Sequence, residues 1–196
     1  MPETYNPRSA LLVVDVQNDF ADPEGNLYVA GGEEIIAGIN AEITAARDGG
    51  GLVVYSQDYH PEDTPHFSKD GGAWPVHCVA GTWGAELHPD LDVDGPLIRK
   101  GTGGEDGYSA FSVRDPESGQ EEATQLQGLL SDQGVTRLVV CGLAQDVCVK
   151  ASVLDACRLG YDTIVLADLT RPVAEDEASL REMREAGANV LTGREA

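Results

Sequence analysis

Polar and apolar positions along this chain change in blocks. Ala10–Val14 (ALLVV) holds no polar residue and stops at Asp15. Leu52–Ser56, Pro96–Arg99, Leu138–Cys141, Asp162–Leu166 and Asn189–Leu191 are further short runs read as strands. Short apolar runs rich in β-branched residues suit a sheet covered on both faces. Between the strands the period changes. Ile36, Ile39 and Ile43 fall at i, i+3 and i+7 in a helix predicted over Glu33–Asp48, which Gly49–Gly51 end. Val147–Leu159 is apolar round most of its circumference and predicts a largely buried helix, with Asp146 as its N-cap and Gly160 as its stop. Glu121–Asp132 reads as a weak helix. Glu175–Ala186 reads as a helix with acids in its first turn and Arg181 and Arg184 later, as the dipole favours.

Strands alternating with helices predict an α/β fold with a parallel sheet. In such folds ligands bind at the carboxyl ends of the strands. Asp15, Asp58, Lys100 and the turn before Cys148 each follow directly after a predicted strand. Residues far apart in sequence are therefore expected on one rim. The segment Tyr59–Gly95 carries four prolines and all four histidines and has no periodicity. Irregular stretches of that length inside a compact domain are usually functional.

Composition narrows the classes. The length, 196 residues, suits one domain with a substantial core. A net charge of −21 argues against nucleic acid as a partner and fits a solubility surface or a salt-adapted host. No run approaches membrane-spanning length, and Met1–Ser9 is polar with no apolar segment after it, so neither a membrane span nor a secretory leader is expected. Cys78, Cys141, Cys148 and Cys157 lack CxxC spacing and disulfide-scaffold density, which points to a reducing, cytoplasmic setting. Cys141 and Cys157 read as small core residues.

Two groups of residues carry candidate chemistry. Cys148 falls in the first turn of its helix, where free N–H groups and the positive dipole end favour a thiolate. Lys100 offers a positive neighbour and Asp15 a proton acceptor. Asp15 ends an otherwise apolar strand, where a carboxylate is costly without a role. The second group is Asp58-x-His60-x5-His66-x10-His77. Imidazole nitrogen and carboxylate oxygen suit one divalent ion such as Zn, Fe or Mn. Any one of these histidines alone reads more simply as a loop residue, whereas the set points to a metal. His88, in an HPDL turn, reads as structural. Phe20, Trp74, Tyr108 and Phe111 lie on the same loops in a chain with only 6% aromatic residues, and together they can wall a small flat ring.

The motifs DVQNDF (Asp15–Phe20), the Asp58/His60/His66 spacing, WPVHC (Trp74–Cys78), Gly81-Thr82, Lys100-Gly101, YSAF (Tyr108–Phe111) and CGLAQDVCVKAS (Cys141–Ser152) occur in one order over residues 9–192. In this the chain resembles the nicotinamidases of the isochorismatase-like cysteine hydrolases. The resemblance implies a single domain with a doubly wound, Rossmann-like sheet of six parallel strands. It implies a triad of Asp15, Lys100 and Cys148, a metal held by Asp58, His60, His66 and His77, and a ring site walled by Phe20, Trp74 and Tyr108. It also implies a cis peptide at Leu143-Ala144, with the backbone N–H groups of Ala144 and Cys148 forming an oxyanion hole. The implied reaction, a step of NAD salvage, converts nicotinamide, and pyrazinamide as well, to the acid and ammonia. The expected partner is a small amide, and self-association into a homo-oligomer is left open. Gln145 and Val147 depart from the family, which more often has Thr and an aromatic or His there. An amidase acting on a carbamoyl or ureido substrate, a non-catalytic metabolite-binding module and a redox-thiol protein are the competing classes. The histidine set, the intact triad and the absence of a resolving CxxC cysteine argue against them in turn. An isochorismatase proper cleaves a vinyl ether and has no need of Cys148.

Overall fold

The computed structural model describes residues 4–174 and 177–193. In chain order the elements are β1 (Ser9–Val14), a short α1 (Asn18–Ala21), α2 (Ile36–Asp48), β2 (Leu52–Asp58), β3 (Leu97–Lys100), β4 (Ser112–Arg114), β5 (Glu121–Ala123), α3 (Leu126–Asp132), β6 (Arg137–Leu143), α4 (Lys150–Arg158), β7 (Asp162–Arg171), α5 (Glu177–Glu185) and β8 (Asn189–Leu191). Six strands form one parallel sheet in the order β3-β2-β1-β6-β7-β8. The chain winds outward from β1 through β2 to β3, then returns to place β6 on the other side of β1. The direction of winding therefore reverses between β1 and β6, where doubly wound sheets bind ligands.

Alternation along β1 divides the core. Leu11 and Val13 face one layer with Ile39 and Ile43 of α2. Ala10, Leu12 and Val14 face the other, with Leu126 and Leu130 of α3, Val153 of α4 and Met183 of α5. The all-apolar strand was thus legible because both of its faces are covered.

Four local expectations change. Glu121–Ala123 is not helical. It pairs antiparallel with β4 in a separate two-stranded ribbon, and α3 begins only at Leu126. Glu33–Ile35 is a 3₁₀ turn leading into α2. The helix predicted from Val147 opens as a π-helical turn, Gln145–Val149, with Ala144 extended at its head. Asp146 does not cap it: its carboxylate instead accepts the backbone N–H groups of Val173 and Ala174. Glu175, the expected start of the last helix, lies outside the described residues. Among those residues no helix is long and apolar enough to cross a membrane.

Candidate active site and metal centre

Strand register places the first pair of side chains. Asp58 and Lys100 are direct partners at the ends of β2 and β3, and the Lys100 ammonium bonds the Asp58 Oδ1 oxygen. It also lies 2.7 Å from Asp15 Oδ2, donates to the carbonyl of Gly107, and sits 3.7 Å from Cys148 Sγ. Asp15, immediately after β1, has a positive φ of 48°, uncommon for a residue other than glycine. Ser56, on β2, donates to its Oδ1 at 2.6 Å. Oxygens of Asp15 and Asp58 and the sulfur of Cys148 lie within 4.8 Å of one another. The three residues expected as a triad are therefore brought together.

Its electrostatics differ from the expectation in one respect. Burial, together with the Asp15 and Asp58 carboxylates, pushes the Cys148 thiol well up, against the opposing pull of Lys100. Dehydration and two anions thus act against the thiolate that one cation and a helix end favour. Burial also raises Asp15, tempered by Lys100. Lys100 is raised despite its burial, since both carboxylates hold its charge. At Asp58 the burial penalty is overcome by Lys100 and by His60, and its carboxyl is held well below the usual range.

The other oxygen of Asp58 faces the histidines. Oδ2 lies 3.8 Å from His60 Nε2 and 3.9 Å from His77 Nε2. One nitrogen from each of His60, His66 and His77 lies within 4.8 Å of the others, and all three rings are buried. Two rings have their Nδ1 engaged, which leaves Nε2 available: His77 bonds the Pro75 carbonyl at 2.7 Å and His66 the Asp106 carboxylate at 2.6 Å. Burial pushes His77 down to about 4, so it is neutral and able to ligate near pH 7. Among the described residues neither nitrogen of His60 has a hydrogen-bond partner. A buried, unpaired polar group costs about 1–3 kcal/mol, and a cation at Nε2 would remove that cost. The residues therefore fit a divalent metal. His88 lies apart, its Nδ1 accepting the Asp90 backbone N–H.

These groups meet at one cleft. Asp58, His66, His77 and Cys148 line it, with Asp15, Lys100 and His60 behind them. Phe20, Trp74 and Tyr108 supply its aromatic walls, and Ala144, after a cis Leu143-Ala144 peptide, flanks the cysteine. Trp74 Nε1 donates to the Tyr108 hydroxyl at 3.0 Å. Phe111 does not reach the cleft. It packs in the core, its ring 5.9 Å from that of Tyr161. Gln145 also points away, bonding Thr170 and Ser179, whereas Val147 lines the cleft.

Sequence reasoning missed several supports. Gln17 brackets the backbone of Asp58, accepting its N–H and donating to its carbonyl, both at 2.8 Å. Asp19 accepts the Cys78 N–H at 2.6 Å and so fixes the segment after His77. Both stand in the DVQNDF motif, which was the available signal. Ser56 and Asp106 had none.

A model of the isochorismatase domain matches residues 9–195. The chain belongs to the isochorismatase family. Within that family it is 39% identical over 191 residues to the nicotinamidase/pyrazinamidase of Mycobacterium tuberculosis, covering 93% of this chain and 97% of that protein. The crystal structure of PnC1 from L. infantum in complex with nicotinate superposes with a TM-score of 0.88 at 38% identity, covering 96% and 94% of the two chains. Pyrazinamidase of Pyrococcus horikoshii in complex with zinc gives 0.85 at 37% identity, covering 95% of this chain and all of that one.

Proposed function

We propose that this chain is a nicotinamidase, hydrolysing nicotinamide, and pyrazinamide alongside it, to the carboxylate and ammonia. The observation that carries the reading is Lys100, which contacts Asp15, Cys148 and the same Asp58 that faces the histidines. A thiol nucleophile and a metal-type donor set thereby share one aromatic-walled cleft.

Asp15 takes the proton of Cys148 as the sulfur attacks the carboxamide carbon. Proton transfer and attack belong together here, because burial and two carboxylates disfavour a free thiolate. Lys100 offsets the anionic charge of the pair. The backbone N–H groups of Ala144 and Cys148 receive the oxyanion, at roughly 3–4 kcal/mol per donor. Asp15 then passes its proton to the departing ammonia, leaving a thioester on Cys148. A water molecule, deprotonated by Asp15, attacks the thioester carbon. The C–S bond breaks, nicotinate leaves, and the proton returns to the thiolate.

Asp58, His60, His66 and His77 would hold the divalent ion, with zinc, iron and manganese all compatible with these donors. When bound, the ion supplies a Lewis-acid anchor for the pyridine nitrogen. Phe20, Trp74 and Tyr108 would wall the ring. The reaction would serve NAD salvage. The requirement for a reduced Cys148 supports a cytoplasmic location, and all four cysteines are free.

The test is ammonia release from nicotinamide by as-purified, chelated and metal-restored protein, with Cys148→Ala as the blank. The reading expects activity that disappears on chelation and returns with metal. Metal-loaded protein that releases no ammonia would remove the substrate assignment, and carbamoyl compounds would be assayed next.

A further inference from the structure

We propose that Asp106 is a positioning residue for the metal centre, acting through His66. The inference rests on the metal reading above, and no motif in the chain marks the residue. Its Oδ1 lies 2.6 Å from His66 Nδ1. A carboxylate accepts only, so the proton sits on Nδ1 and the lone pair on Nε2, the form that ligates. Metal-bound histidines commonly hand their second N–H to such an acceptor, which fixes tautomer and ring orientation.

The position of the carboxylate is itself fixed. Asp106 exchanges both backbone hydrogen bonds with Arg114, at 2.8 and 2.9 Å, in an isolated antiparallel bridge. The next residues tie the same strap to the rest of the site. Gly107 offers its carbonyl to Lys100, and the Tyr108 hydroxyl accepts the Trp74 N–H. Ser109 then bonds Asp155, and the Ala110 N–H reaches Ser152, both on the helix that follows Cys148. A side chain on this strap therefore holds His66 in a frame shared with the nucleophile. The Asp106 side chain is 18% exposed and touches His66 rather than the core. Its replacement should thus act on the metal more than on folding.

The experiment measures zinc affinity of the full-length protein by competition with a chromophoric chelator, in the absence of substrate. Asp106→Ala is expected to bind zinc about 10–100-fold more weakly than wild type. Asp106→Asn, which keeps an acceptor oxygen, should recover most of that loss. Metal-free Asp106→Ala should unfold as cooperatively as metal-free wild type, with a melting temperature lower by no more than the loss of one hydrogen bond explains, about 2–4 °C. Glu105→Ala, which removes a neighbouring carboxylate that accepts the Gly103 N–H, should bind zinc normally. Zinc affinity of Asp106→Ala within twofold of wild type would overturn the inference, as would an equal loss in Glu105→Ala. Wild-type protein that binds none of zinc, iron(II) and manganese(II) would instead overturn the metal reading, and this inference with it.

Discussion

Cys148 and Lys100 show how far one residue's chemistry is set by its neighbours. The sulfur lies at a helix start, yet dehydration and two carboxylates push its thiol up. In the proposed mechanism turnover then depends on Asp15 being ionised and ready to accept the proton. Its folded pKa is raised, so kcat/KM should increase with pH through a value above the ordinary aspartate figure of about 3.9. A pH–rate profile on metal-saturated protein checks this, and an acid limb at or below that figure would contradict the burial argument. Cys148→Ala should lower turnover by roughly 10⁴- to 10⁶-fold, as loss of a covalent nucleophile does, measured as ammonia release with the fold verified by circular dichroism. Lys100→Met would leave two buried carboxylates without their cation. A loss of about 3–5 kcal/mol at pH 7 is expected in urea unfolding. The deficit should shrink as the pH falls, because protonation neutralises the stranded carboxylates.

At the scale of elements, strand ends aim the chemistry. The register of β2 against β3 sets Asp58 opposite Lys100. The pairing of β1 with β6 sets Val14 opposite Gly142, just before the turn that carries Cys148. Gly142 has φ near +114°, and a Cβ there would stand 2.1 Å from the Val14 carbonyl oxygen. Gly142→Ala should therefore both strain the backbone and push β6 off β1, at roughly 1–3 kcal/mol for each effect. Equilibrium unfolding reports the stability loss, and the rate of Cys148 alkylation reports whether the nucleophile has moved. The strands and α2 were legible because their periodicity matches the faces they bury. The β4–β5 ribbon was not, since Glu121–Ala123 is exposed along its whole length and carries no burial signal. Nor was the π-helical turn, whose extra residue per turn leaves no mark in the hydrophobic pattern.

For the whole molecule, two global properties matter. The first is a net charge of −21. Self-repulsion of that size destabilises the compact state and is screened by salt. The melting temperature should rise as monovalent salt goes from about 0.05 to 1 M, a range in which the Debye length falls below about 10 Å. An unchanged melting temperature would mean that the acids are too dispersed to repel. The second is the stability contributed by a bound ion. At a free concentration 100 times its Kd a ligand adds about 2.7 kcal/mol, so chelation should lower the melting temperature and added zinc should restore it. The same scan on Asp58→Ala should show no response to the chelator.

The sequence by itself determined the α/β alternation and singled out the candidate residues, Asp15, Lys100, Cys148, Asp58 and three histidines, that the structure brings together. These are written as burial periods, as reactive residue types just after strands and as histidines clustered in one loop. Only the tertiary structure decided which side chains hold that chemistry in place. Asp106 at His66, Ser56 at Asp15 and the Gly107 carbonyl at Lys100 join loops and strands 40, 41 and 7 residues apart. It also set the burial and the charged neighbours of Cys148 and turned Phe111 and Gln145 away from the cleft. Hydrogen-bond partners and local dehydration depend on distances in space, and the order of residues along a chain does not contain those distances until the sheet has closed over its core.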